Sequence, residues 1–149
     1  MLHPDWSYQA VLYEMNVRQF THEGTLRAAA ARLPFLRDLG IDVVWLMPVH
    51  PIGEEGRKGS LGSYYSVRDY CAVSPELGSM ADFDAFVAEA HRLGMKVLLD
   101  WVANHTARDA RWIAEHPDFY LYDDEGRPAV PWDWTDTAKL DYSNPAVWE

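Results

Sequence analysis

A single cysteine, Cys71, stands among the 149 residues, so no internal disulfide can form and no thiolate cluster can hold a metal. Basic residues are also short: 13 Lys and Arg against 23 Asp and Glu give a formal charge of -10. Nucleic-acid binding needs a basic face that releases counterions, so that class is excluded and a neutral or cationic small ligand is expected. No apolar run approaches the roughly 20 residues that span a bilayer. The opening MLHPDWSYQA has no basic stretch ahead of an apolar core, and the expectation is a cytoplasmic chain with no membrane partner. His91 and His116 lack the paired helical spacing of a zinc site and are expected at solvated positions.

What is present is ordinary globular composition, 48% hydrophobic and 24% charged, enough for one sizeable core. From Gln9 to Phe20 the apolar residues Val11, Tyr13, Met15 and Val17 share one parity, which predicts a first, half-buried strand. Thr25 is a plausible N-cap for a helix carrying Leu26, Ala29, Ala30, Leu33 and Leu36, which Pro34 should kink or split and Gly40 should end. Asp42 to Pro48 is short, β-branched and apolar, suited to a strand buried on both faces. The same grammar recurs: a helix from Met80 with Phe83, Phe86, Val87, Ala90 and Leu93 on one stripe, then Gly94, then a third strand from Lys96. Strand and helix alternate as β-α-β-α-β, so the fold class is α/β with a parallel sheet.

The third strand organises the rest. Its apolar run Val97 to Leu99 reads as buried and leads into Asp100, with Asn104 and His105 close behind, so the chain must turn near Asn104 for these groups to converge. The segments that follow strands two and three, 49–79 and everything from His105, are far longer than the helix-to-strand junctions. Long loops at the C-terminal ends of parallel strands are where α/β proteins bind ligands. The glycines Gly53, Gly56, Gly59 and Gly62, with Arg57 and Lys58 among them, fit no phosphate-binding fingerprint. They predict a mobile loop at the rim of a site. Residues 118–148 show no sustained period and are expected to form an irregular excursion, with turns at Asp133 to Asp136 and Tyr142 to Pro145.

Three ordered motifs carry a resemblance. Tyr65-x-x-x-Asp69-Tyr70 with Ser74-Pro75-x-x-Gly78-Ser79 follows strand two; Asp100-x-x-x-Asn104-His105 ends strand three; DWTDTAKLDYSNP runs from Asp133 to Pro145. Together these resemble the N-terminal part of the α-amylase family of glycoside hydrolases (glycoside hydrolase family 13). The resemblance implies the first three β/α units of a (β/α)8 TIM barrel with long irregular loops after strands two and three. Residues 1–104 would belong to the catalytic barrel and 105–149 to the start of an inserted loop domain. It implies cleavage of α-glucosidic bonds, by hydrolysis or transfer, with an α-glucan or α-glucoside as substrate.

By the same resemblance Tyr65 would stack on a sugar ring, His105 would hydrogen-bond its hydroxyls, and Asp100 would support the site from behind. Asp69 would support the site structurally, and Asn104 would tie the inserted loop to the barrel, in many members through calcium; without the flanking motifs Tyr65 reads as ordinary loop packing and Asp69 as a turn-forming residue. Here Lys139 stands where a calcium-binding carboxylate is expected, and an ammonium cannot ligate a hard cation. No cofactor is therefore expected, and the Lys139 ammonium is predicted to bond near Asn104.

The family's nucleophile and general acid/base lie on later strands, and a full barrel takes about 250 residues. No catalytic residue is therefore expected within this chain, which would need the remainder of the barrel and would self-associate through its open edge. Two other readings are a non-catalytic sugar-binding α/β module and a nucleotide-binding β-α-β-α-β domain. The missing phosphate loop and the acidic charge weigh against the second.

Overall fold

The computed structural model describes residues 3–148. Two compact units divide the chain: residues up to Val49 with Val73–Asp100, and His50–Ala72 with the residues from Trp101 onward.

The first unit is the α/β one. Strand β1 (Leu12–Met15) is followed by the short helices α1 (Val17–Phe20), α2 (Leu26–Ala30) and α3 (Leu33–Asp38), strand β2 (Val43–Leu46), helix α4 (Met80–Arg92) and strand β3 (Lys96–Leu99). The sheet runs β1-β2-β3 and is parallel throughout, with Met15 opposite Leu46 and Leu46 opposite Leu99. Parallel neighbours require helical crossovers, which α2 and α3 supply on one connection and α4 on the next.

Each helix begins and ends for identifiable reasons. The Thr25 hydroxyl accepts from the Ala28 amide, and at α4 Ser79 and Asp82 form a reciprocal capping box. Pro34 splits the first helical segment as the sequence predicts, falling in the first turn of α3 where its missing N–H costs nothing. Gly40 and Gly94 close α3 and α4 with φ of 92° and 75°. In both cases the next amide reaches back five residues, Ile41 to the Leu36 carbonyl and Met95 to that of Ala90 (3.0 and 2.9 Å). Phe86, Ala90, Met15, Val44, Leu46, Leu26 and Leu33 are fully buried between the helices and the sheet.

Two sequence expectations are corrected here. The first strand stops at Met15 rather than running to Phe20, because β2 ends at Leu46 and leaves nothing further to pair. Val17 is buried from a helical turn, which the parity of the apolar residues could not distinguish. Strand β3 is not buried: Leu98 and Leu99 are 45% and 41% exposed, because β3 lies at the edge of a three-stranded sheet.

The second unit contains β4 (His105–Ala107), helix α5 (Arg111–Glu115) and β5 (Thr137–Lys139). Strands β4 and β5 pair antiparallel, His105 opposite Lys139 and Ala107 opposite Thr137. The expected irregular excursion thus contains a strand, whose three residues are too few to show a period. No helix among the described residues is long and apolar enough to cross a membrane.

Candidate functional site

In the second unit the chain turns between Val102 and His105. Tyr70 holds that turn: its hydroxyl lies 2.6 Å from the Val102 carbonyl and 2.8 Å from that of His105, donating between them. The Tyr142 hydroxyl donates to the intervening Ala103 carbonyl. Burial pushes the Tyr70 phenol well above its ordinary range, with the neighbouring phenols of Tyr120 and Tyr142 adding to the shift, so it remains a donor.

His105 follows as the first residue of β4 and is 6% exposed. The Asn104 carboxamide nitrogen donates to its Nδ1 at 3.1 Å, so Nδ1 is the acceptor and Nε2 carries the proton. Nε2 donates in turn to the Tyr65 carbonyl at 3.0 Å. Burial holds the imidazole pKa below its usual value, against the opposing pull of the Tyr65 carbonyl and the Asp136 charge, which suits this neutral form. Trp134 packs against the ring edge to face, with centroids 5.3 Å apart.

Tyr65, His105 and Trp134 meet around a cavity of about 320 Å³, completed by Lys58, Ser63, Asp136 and Thr137. Asp136 is 3% exposed, and its charge is balanced by the Lys58 ammonium at 3.5 Å. That ammonium also donates to the Asp133 carbonyl (3.3 Å), while the Ser66 hydroxyl donates to the Asp136 carbonyl (2.8 Å). The glycine-bearing rim loop is internally braced: the Arg57 guanidinium donates to the carbonyls of Gly53 and Ile52 (2.8 and 3.0 Å). The cavity therefore offers a phenol and an indole as apolar faces, with hydroxyl, ammonium and carboxylate groups at its margin. Such a lining suits a small polyhydroxylated ligand.

The structure thus brings together Tyr65 and His105 of the residues singled out in the sequence. Asn104 is exposed and acts through His105 rather than lining the cavity. Asp69 accepts from the Cys71 amide (2.8 Å) in a local turn. Asp100 ends the first unit, its amide donating to the Leu46 carbonyl at 3.0 Å. Lys139 is corrected: among the described residues its ammonium makes no hydrogen bond or ion pair, and the Asn104 carboxamide turns instead to His105. Both imidazole nitrogens are also taken up by the protein, so neither is open for the sugar hydroxyls expected at His105.

Sequence reasoning missed Lys58, Trp134 and Asp136. The last two lay in a stretch read as a turn, and the 77 residues between Lys58 and Asp136 hide their pairing.

Comparison with known proteins decides the family. The model of the alpha amylase catalytic domain matches residues 9–149. The chain belongs to the alpha-amylase family.

Within that family it is 40% identical over 135 residues to an alpha-1,4-glucan:maltose-1-phosphate maltosyltransferase of Rhodospirillum rubrum, covering 78% of this chain and 20% of that protein. It is 32% identical over 145 residues to a trehalose-6-phosphate hydrolase of Bacillus subtilis, covering 87% of this chain and 24% of that protein. Among solved structures, an alpha-amylase from Lactobacillus plantarum superposes with a TM-score of 0.91 at 42% identity, over 93% of this chain and 33% of that one. The chain therefore spans a third or less of the length of these family members.

Around Asn104 the carbonyl accepts from the Leu140 amide at 3.2 Å and the carboxamide nitrogen donates to His105, while Lys139 on β5, opposite His105, is a cation rather than the oxygen donor that a calcium ion would need.

Proposed function

We propose that this chain forms the first three β/α units of a (β/α)8 barrel, with long loops after strands two and three, that cleaves α-glucosidic bonds by hydrolysis or transfer. Its part is to hold a glucose unit of the substrate. Tyr65 and Trp134 offer ring faces to the pyranose. Ser63, Lys58 and Asp136 supply donors and acceptors for its hydroxyls, and neutral His105 fixes the strap that carries Tyr65. The observation that carries this reading is the meeting of Tyr65, His105 and Trp134 around one cavity. The relatives' names, a hydrolase and a maltosyltransferase, favour the same bond class.

Retaining glycoside cleavage needs two carboxylates about 5–5.5 Å apart. Among the described residues Asp136 is the one acid lining the cavity, and it is already paired with Lys58. The nucleophile and acid/base are therefore assigned to residues outside this chain, which alone binds sugar without cleaving it.

Titration with methyl α-glucoside, followed by the fluorescence of the cavity indole, tests the reading. Saturable quenching is expected, and Tyr65→Ala should weaken it about tenfold, the loss of one ring face. Absence of saturable binding by the wild-type chain would sink the glucoside assignment, and turnover of a chromogenic α-glucoside would show that the carboxylates are present after all.

A further inference from the structure

We propose that residues 59–62 form a hinged flap at the rim of the second unit's cavity, and that Leu61 at its tip closes down on the bound ligand and shuts out water. This rests on the reading of the cavity as a glucoside site.

The loop after Ile52 is held in place as far as Lys58. The Gly53 amide donates to the Ser66 carbonyl (2.9 Å) and the Glu54 amide to an Asp109 carboxylate oxygen (3.1 Å). Arg68 pairs with Glu54 and Arg108 with Glu55, at 3.1 and 3.2 Å. Gly56 lies so close to the stretch that carries Trp134 that a β-carbon there would stand 3.0 Å from the Thr135 carbonyl oxygen. Lys58 then reaches across to Asp133 and Asp136. From Ser63 the chain is fastened again, since its carbonyl accepts from the Ser66 amide (3.1 Å) and its hydroxyl from the Tyr65 amide (3.2 Å).

Between these anchors the fastening lapses. Among the described residues no hydrogen bond or ion pair reaches Gly59, Ser60, Leu61 or Gly62. Gly59 and Gly62 have φ of 68° and 74°, a conformation that glycine enters and leaves at little cost. Gly59 has no heavy atom within 4 Å of the place its β-carbon would take, whereas one at Gly62 would lie 2.7 Å from the Ile52 side chain. The tip is thus free at one end and seated at the other, the arrangement of a hinge.

Position decides what the tip covers. Lys58 and Ser63, which flank it, both line the cavity, so residues 59–62 span the rim from one to the other. The single large side chain among them is apolar: Leu61, 50% exposed. A lone exposed leucine is ordinary on a protein surface, but this one stands on an unfastened segment beside the opening of a site. A sugar held in the cavity leaves C–H groups facing that opening, and a leucine laid over them removes apolar area of both from water.

Stopped-flow fluorescence with methyl α-glucoside reads the flap as a rate, because Leu61 meets the ligand only after it has entered. Leu61→Ser should keep the wild-type association rate constant and raise the dissociation rate constant about tenfold, with little change in the midpoint of thermal unfolding. Closure is read directly by Leu61→Cys in a Cys71→Ser background. Its one thiol should be alkylated by iodoacetamide about fivefold more slowly at saturating sugar.

A dissociation rate constant left at its wild-type value, or alkylation indifferent to sugar, would overturn the flap while leaving the cavity's reading intact. A lowered unfolding midpoint with both rate constants altered would also overturn it, by showing that Leu61 supports the loop rather than the ligand. If the wild-type chain showed no saturable binding, the cavity's reading would fail and the flap with it.

Discussion

At the scale of single residues, the site depends on polar atoms that are spent inside the protein. The Tyr70 hydroxyl serves two carbonyls of the turn ahead of His105. Tyr70→Phe leaves both without that donor, and the expected loss is about 1–3 kcal/mol in unfolding free energy, measured by urea denaturation. An unchanged midpoint would show that water replaces the phenol there.

Tyr65 and His105 were legible in the sequence only through the ordered motifs that carry the family resemblance, since taken singly a loop tyrosine and a strand-end histidine read as ordinary packing. What the imidazole does was not legible. Its neighbour Asn104 and the Tyr65 carbonyl consume both nitrogens, and no residue pattern reveals which backbone carbonyl a side chain will reach.

At the scale of elements, the junctions were the most readable features. Gly40 and Gly94 mark the ends of α3 and α4 because a left-handed backbone is cheapest without a β-carbon. Short elements were the least readable, since β5 has three residues and α1 four, too few for either period to emerge.

The start of α4 carries a pH dependence of definite sign. Hydrogen bonds from Ser79, then from Arg27, lower the Asp82 carboxyl to about 2. A depressed folded pKa favours the native state wherever Asp82 is charged, so the contribution is whole above its unfolded value of 3.8 and fades as pH falls through about 2. Asp82→Asn should therefore unfold at a lower temperature than wild type at pH 6, with the two midpoints converging between pH about 4 and about 2. A gap that persisted at the acid end would assign the effect to geometry rather than charge.

At the scale of the whole molecule, the outer strands of the sheet show what the 149-residue chain leaves open. Leu12 on β1 and Leu98 and Leu99 on β3 are 46%, 45% and 41% exposed, and unpaired strand edges template further pairing. By itself the chain is expected to self-associate with rising concentration in sedimentation velocity, and Leu98→Lys should shift the distribution toward monomer. A concentration-independent monomer would mean that these apolar groups are tolerated in water.

The pairing of Lys58 with Asp136 reaches beyond the cavity it lines. Because the buried carboxylate meets its counter-ion before any ligand arrives, a guest finds a wall with no surplus of either sign. Long-range attraction then contributes nothing to capture, despite the formal charge of -10 carried by the chain as a whole. Sugar affinity should accordingly stay level as potassium chloride is raised, and discrimination among ligands should follow their shape and stacking area instead of their ionisation.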